Sequence, residues 1–330
     1  MFTNVRLGCF LLAFLSCSAV ASAQQFTPPT QADAAKIYLD VVVTGKSGPP
    51  VTDLQQQDFT LLDDGVPQTI TSFKVVTGRE TPIEVVLVID AVNARAQIVD
   101  TERIQIDKFL RAHGGNLTYP TAVVVVADKG IQTVANFSTD GNALAAALQQ
   151  ADVARRFIGR SMGYWGAIER FQTSLNALAQ LAASEEPRPG RKLILWVSPG
   201  WPLDLAINSS DEQHIFASIA GISTDLMLGR ITLDSIDPLG VDESMMRASD
   251  QDADDWSLRV FAIQSGGLAF SSGNDIAWFL QQCVAGSAPY YEISFHPAPP
   301  EQPNEYHSLE IKLTRPGLTA RTRQGYYAQP

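Results

Sequence analysis

The run Ile83-Glu84-Val85-Val86-Leu87-Val88-Ile89, which ends at Asp90, decides the fold class. A continuous β-branched run without polar alternation is typical of a strand that is covered on both faces. Strands of this kind occur in parallel sheets that carry helices on each side. The run therefore predicts an α/β fold with a doubly wound sheet.

Working outward from this strand, further strands and helices alternate along the chain. The predicted strands are 122–127, 131–137, 193–197, 231–236 and 268–271. The predicted helices include a first one through Ile106 to His113, followed by 139–151, 161–184, 211–228, 253–264 and 274–285. Such alternation requires right-handed crossovers, so we predict a mostly parallel sheet of Rossmann-like type over residues 81–288.

Both flanks of this region have the alternating pattern of β-strands. Residues 36–80 contain three predicted strands and an Asp63-Asp64-Gly65 hairpin signal, and residues 289–330 contain three more. These strands lack the intervening helices that a parallel sheet would need, and each flank is too small to bury a core alone. We predict that the two flanks are the halves of a small β-sandwich into which the α/β domain is inserted.

The first 23 residues have the features of a signal peptide. Arg6 precedes the apolar run Leu7–Cys17, and Ala21-Ser22-Ala23 forms a cleavage site before a short linker at 24–35. The run is too short to cross a bilayer, so we predict an exported protein, periplasmic or secreted, without a membrane span. A lipid anchor at Cys17 is the minor alternative. Cleavage after Ala23 would leave Cys283 as the only cysteine, which excludes an internal disulfide.

Composition excludes several other classes of protein. The 330 residues are 45% hydrophobic and 18% charged, which is typical of a folded chain of about two domains. Lys and Arg number 24 against 35 Asp and Glu, giving a net charge of −11. Since nucleic acids are held mainly by Lys and Arg on phosphates, this balance argues against a nucleic-acid partner.

Short stretches spread from Val41 to the C-terminus carry a family likeness. They are Val51-Thr52-Asp53-Leu54, Asp58-Phe59, Asp63-Asp64-Gly65, Ile89-Asp90-Ala91-Val92-Asn93, Gly190–Ser198, Asp237-Pro238-Leu239-Gly240, Ser265–Phe270 with Asn274-Asp275, Tyr290-Tyr291, Arg315-Pro316-Gly317-Leu318 and Arg323-Gln324-Gly325-Tyr326. In order and spacing they resemble the von Willebrand factor A-related proteins found mainly in Acidobacteria. The resemblance implies a von Willebrand A domain with a six-strand doubly wound sheet, in a family whose biochemical role is largely unassigned.

The resemblance also implies a place for Mg²⁺ at the carboxyl ends of the strands, the metal-ion-dependent adhesion site (MIDAS). Its usual D-x-S-x-S motif here reads Asp90-Ala91-Val92-Asn93-Ala94, so both hydroxyl positions have lost their oxygen. The loop after Ser198 reads Pro-Gly-Trp-Pro and supplies no Asp. We predict a degenerate, metal-free site in which Asp90 accepts backbone N–H bonds. Asp90 and Asn93 remain weak metal candidates.

The sequence has no G-x-S-x-G elbow, P-loop or H-E-x-x-H motif, and its four histidines have no metal-ligand spacing. We therefore expect a non-enzymatic protein with no cofactor that binds a protein partner. The expected interaction face consists of Asp90, Asn93, Tyr164, Trp165 and Trp201. Two alternatives stay open: Mg²⁺-dependent adhesion through a modified site at Asp90 and Asn93, and an unrecognised secreted α/β hydrolase.

Overall fold

The structure is a computed structural model. It describes residues 36–46, 48–77, 83–151, 163–201, 209–238, 254–271 and 275–328. The predicted signal peptide at 1–23, with the candidate anchor Cys17, and the linker at 24–35 lie outside the described residues. They remain predictions.

The described strands, in chain order, are β1 (Ile37–Thr44), β2 (Phe59–Asp63), β3 (Val66–Gln68), β4 (Ser72–Val76), β5 (Ile83–Asp90), β6 (Asn116–Ala127), β7 (Gly130–Asp140), β8 (Arg191–Val197), β9 (Ile231–Ile236), β10 (Ala269–Phe270), β11 (Tyr290–Phe295), β12 (Glu305–Leu313), β13 (Thr319–Arg321) and β14 (Gly325–Ala328). The described helices are α1 (Ala96–Leu110), α2 (Gly141–Gln150), α3 (Gly163–Glu185), α4 (Ser209–Leu228), α5 (Asp254–Gln264) and α6 (Ile276–Ala285).

The centre of the fold is a six-stranded sheet in the order β10-β9-β8-β5-β6-β7. All neighbouring pairs are parallel except β6 and β7. Only Asp128 and Lys129 separate these two strands, which leaves no room for a crossover helix, so β7 turns back as an antiparallel edge. The predicted mixed α/β fold with a mostly parallel sheet is confirmed at this level.

Strand β5 is covered on both faces, as its sequence predicts. Val85, Leu87 and Ile89 belong to one core cluster with side chains of α1, α2 and α6. Val86 and Val88 belong to a second cluster with side chains of α3, α4 and α5. Alternate residues of one strand thus reach two helical layers, which explains why this strand lacks polar alternation.

The strands of the two flanks form two antiparallel sheets, in the orders β13-β1-β11-β4 and β14-β12-β2-β3. Each sheet combines strands from both ends of the chain, and side chains of both sheets share one core cluster. The described residues give eight flanking strands where the sequence pattern predicts six. The two extra strands, β3 and β14, are three and four residues long, too short for a period-2 pattern to show. The sandwich and the domain boundaries remain predictions.

Candidate functional site

Asp90 ends β5 at the carboxyl edge of the parallel sheet, where open α/β sheets usually bind ligands. Its side chain is completely buried. The chain turns away directly after the strand, and Oδ1 of Asp90 accepts the backbone N–H groups of Val92 and Asn93, both at 3.0 Å. A strand-end carboxylate that receives backbone N–H groups is the arrangement that the sequence predicts for Asp90.

The second oxygen of Asp90 accepts four side-chain hydrogen bonds from described residues. The donors are Nδ2 of Asn93 at 2.9 Å, Oγ of Ser198 at 2.9 Å, and the indole Nε1 atoms of Trp196 and Trp201, each at 3.2 Å. Trp196 and Ser198 lie at the end of β8, the strand next to β5. Hydrogen bonds to an ionised group are stronger than neutral ones, so this donor shell stabilises a buried carboxylate.

The donor shell also bears on the magnesium site that the family resemblance implies. Mg²⁺ requires oxygen lone pairs in near-octahedral geometry. Here both oxygens of Asp90 receive N–H and O–H donors, and Asn93 turns its amide nitrogen toward the carboxylate. The residues present hold a negative charge with donors and do not fit the ligand set of Mg²⁺.

Asn93 connects this carboxylate to helix α3. Its Nδ2 also donates to Oγ of Ser174 at 2.8 Å, and both side chains are buried. Trp165 lies nine residues earlier on the same helix, which places it roughly 13 Å further along the helix axis at 1.5 Å per residue. Because α3 runs down to the start of the parallel strand β8, its first turn projects beyond the carboxyl edge of the sheet.

The five residues of the expected interaction face divide into a buried and an exposed group. Trp165 is 71% exposed, whereas Asp90 and Trp201 are 0% exposed and Asn93 is buried. Trp201 is in the core because its indole binds Asp90 and its ring packs on Trp196 at 5.1 Å. Three predicted contact residues are therefore internal in this structure. The side chain of Tyr164 lies outside the described residues.

Glu102 on α1 is a buried acid that is not among the residues predicted from the sequence motifs. Burial, followed by the nearby charges of Asp90 and Asp237, raises the pKa of Glu102 well above its ordinary value. Neither carboxyl oxygen has a hydrogen-bond partner among the described residues. Burial without a hydrogen-bond partner among the described residues thus favours the protonated form of Glu102. The signal was in the sequence, since Val99, Glu102 and Ile106 follow helical spacing on the buried face.

Comparison with known proteins gives weak structural likenesses. No family model and no curated protein matches the sequence. Proximal thread matrix protein 1 from the mussel byssus has 10% identity and a TM-score of 0.36, with 64% of this chain and 49% of that chain covered. The PilB minor pilin from Streptococcus sanguinis has 14% identity and a TM-score of 0.38, with 61% and 62% covered. The SpRpn10 VWA domain has 12% identity and a TM-score of 0.33, with 63% and 98% covered.

The chain spans about half the length of the byssus protein and less than two thirds of the pilin. Likenesses with such TM-scores establish neither a fold family nor a function for this chain. The acidobacterial family stays a resemblance. Among the residues that the structure describes, no helix combines the length and apolar character needed to cross a membrane.

Proposed function

We propose that this chain is an exported, non-enzymatic interaction protein with a von Willebrand A-like domain inserted into a small β-sandwich. It binds another protein through the rim of the parallel sheet around the first turn of α3, without a metal ion and without a cofactor. The observation that carries the proposal is Trp165, which is 71% exposed at this rim. Exposed tryptophan side chains are enriched among the residues that dominate protein–protein binding energies.

The donor shell of Asp90 supports the metal-free part of the proposal. In a metal site a cation would stabilise the carboxylate of Asp90. Here six hydrogen bonds from described residues stabilise it instead. The shell joins β5 and β8, and Asn93 extends it to α3 through Ser174. The rim would thus be held in place by buried protein contacts, with Trp165 presented above them.

The placement of His113 supports a non-enzymatic role over the hydrolase alternative. His113 follows the C-terminal end of α1 and precedes β6, at the edge of the sheet opposite to Asp90. A nucleophile or acid at the carboxyl edge would be out of its reach, because a general base must lie within hydrogen-bond distance. The side chain of His214 lies outside the described residues.

Two matched tryptophan variants test the interaction surface. Trp278 is 48% exposed in the first turn of α6, which packs on the opposite face of the sheet from α3. In pull-downs from the envelope fraction with EDTA present, we expect Trp165→Ala to lose the captured protein and Trp278→Ala to keep it. Equal loss in both variants, or retention in both, would contradict the proposed surface.

A calorimetric titration with Mg²⁺ tests the metal-free reading separately. We expect no saturable heat and no rise in melting temperature. A saturable Mg²⁺-dependent rise that Asp90→Ala abolishes would restore the adhesion alternative at Asp90 and Asn93.

A further inference from the structure

Strands from the two ends of the chain bring Asp63, Asp64 and His307 together. Strand β2 ends at Asp63 and pairs antiparallel with β12, in a register that sets Asp63 opposite Leu309. Asp64 lies in the turn that follows, and His307 lies two residues before Leu309 on β12. Side chains that are 244 residues apart in sequence thus converge at one end of an antiparallel sheet.

The spacing of the three side chains matches a metal coordination sphere. Nδ1 of His307 lies 3.1 Å from Oδ1 of Asp63 and 3.4 Å from Oδ2 of Asp64. One ligand atom from each of the three residues lies within 4.8 Å of the others. Around a tetrahedral Zn²⁺ ion, bonds of about 2.0–2.1 Å place neighbouring ligand atoms about 3.3 Å apart. The two distances to Nδ1 of His307 are close to this value, so one ion could bind all three residues once the two carboxylate oxygens adjust to it.

The other oxygen of each carboxylate is already held by a protein donor. The hydroxyl of Tyr326 donates to Oδ2 of Asp63 at 2.8 Å. The backbone N–H and the hydroxyl of Ser308 donate to Oδ1 of Asp64 at 2.8 and 2.9 Å. Carboxylate ligands of metal ions are typically oriented by such outer hydrogen bonds. The arrangement leaves one oxygen of each Asp directed toward the imidazole of His307.

The two ring nitrogens of His307 have different surroundings. Nε2 is buried and has no hydrogen-bond partner among the described residues. Nδ1 is thus the ring nitrogen that faces both carboxylates. Oε2 of Glu305 lies 4.0 Å from Nε2, which is beyond hydrogen-bond distance. The ring is held for this role by stacking on Tyr326 at 5.0 Å.

We propose that Asp63, Asp64 and His307 bind a Zn²⁺ ion. One imidazole nitrogen with two carboxylate oxygens suits Zn²⁺ better than Mg²⁺, which prefers oxygen ligands alone. Solvent reaches the cluster at Asp64, whose side chain is 51% exposed, and could supply a fourth ligand. The ion would link the β2–β3 turn to β12, and so would join the N-terminal and C-terminal strands directly.

Titration of the full, untagged, chelator-treated chain with ZnCl₂ tests the proposal. We expect one saturable site by calorimetry and a higher melting temperature in the presence of Zn²⁺. Asp64→Asn should weaken binding at least tenfold, since it removes the charged ligand. Asn keeps the acceptor for Ser308 and tolerates the positive φ of 48° at this position.

Glu310→Gln is the matched control, because Glu310 is an exposed carboxylate on the same strand as His307. It removes the same charge outside the cluster, and we expect its Zn²⁺ affinity to equal that of the unaltered chain. Absence of a saturable site, unaltered binding in Asp64→Asn, or equal weakening in Glu310→Gln would each overturn the proposal. All variants keep the same cysteines, so a difference between them reports on this cluster.

Discussion

Asp90 and the pair Asp63 and Asp64 are carboxylates at the ends of strands, but their neighbours differ in kind. Around Asp90 the described contacts are N–H and O–H donors, and both oxygens are used. At Asp63 and Asp64 one oxygen of each carboxylate accepts from Tyr326 or Ser308, and the other faces Nδ1 of His307, a nitrogen that can itself be a metal ligand. Their neighbours, more than their position in a sheet, decide what these carboxylates can bind.

The comparison separates a structural role from a binding role. A carboxylate that satisfies several buried donors cannot be removed without leaving those donors unpaired. A half-exposed carboxylate at a turn can be replaced with little effect on the fold, so it is available for a ligand. Variants of Asp90 and Asp64 test this difference directly, and a variant of Glu102 tests a buried acid without donors. They follow in order of decreasing expected effect.

Replacement of Asp90 by Ala should destabilise the protein by about 3–5 kcal/mol, because it leaves buried donors without their charged acceptor. Chemical denaturation measures the free energy of unfolding, with Glu310→Ala as an exposed control that should change it by about 0.5 kcal/mol or less. If Asp90→Ala lowered the unfolding free energy by less than about 1 kcal/mol, the proposed difference between the two sites would be contradicted.

Replacement of Glu102 by Gln should change how stability depends on pH. Because the folded pKa of Glu102 is raised, its stabilising contribution is full below the unfolded pKa of about 4.3 and is lost as the pH rises through the folded pKa. As the pH rises through this window, the unfolding free energy of Glu102→Gln should therefore increase relative to that of the unaltered chain. The relative increase is up to about 1.4 kcal/mol per pH unit. Unfolding curves between pH 5 and 8 give the difference, and a constant difference would mean that Glu102 is ionised in the fold.

In the absence of metal ions, replacement of Asp64 by Asn should change the unfolding free energy by about 0.5 kcal/mol or less. The variant keeps the hydrogen bonds from Ser308 and suits the left-handed turn. Thermal unfolding in EDTA measures the effect. A loss comparable to that of Asp90→Ala would show that Asp64 serves the fold and would weaken its assignment as a ligand.

The pattern of apolar residues predicts the central sheet well. Strands β5 and β8 are continuous apolar runs, and burial on both faces requires such runs. The antiparallel turn from β6 into β7 depends instead on the short Asp128-Lys129-Gly130 link, whose effect on strand direction the pattern does not show. The pattern of apolar residues predicts that a segment is a strand, but it does not show whether the strand runs parallel or antiparallel to its neighbour.

The two carboxylate sites were predictable to different degrees. The backbone hydrogen bonds of Asp90 follow from its position at a strand end, a local feature. Its contacts with the indoles of Trp196 and Trp201 span more than 100 residues and depend on packing. The cluster of Asp63, Asp64 and His307 depends on the register of β2 against β12, and a shift of one residue would turn His307 to the other face.

The pairing of strands from opposite ends of the chain sets an order of events during synthesis. Strand β1 is complete at Thr44, but its partner β11 begins only at Tyr290, 246 residues later. At about 5–20 residues per second the ribosome needs about 12–50 s to reach that partner. Until then the backbone of β1 has open edges that can pair with other chains. The first of the described strands to leave the ribosome is thus among the last to pair with its native partner.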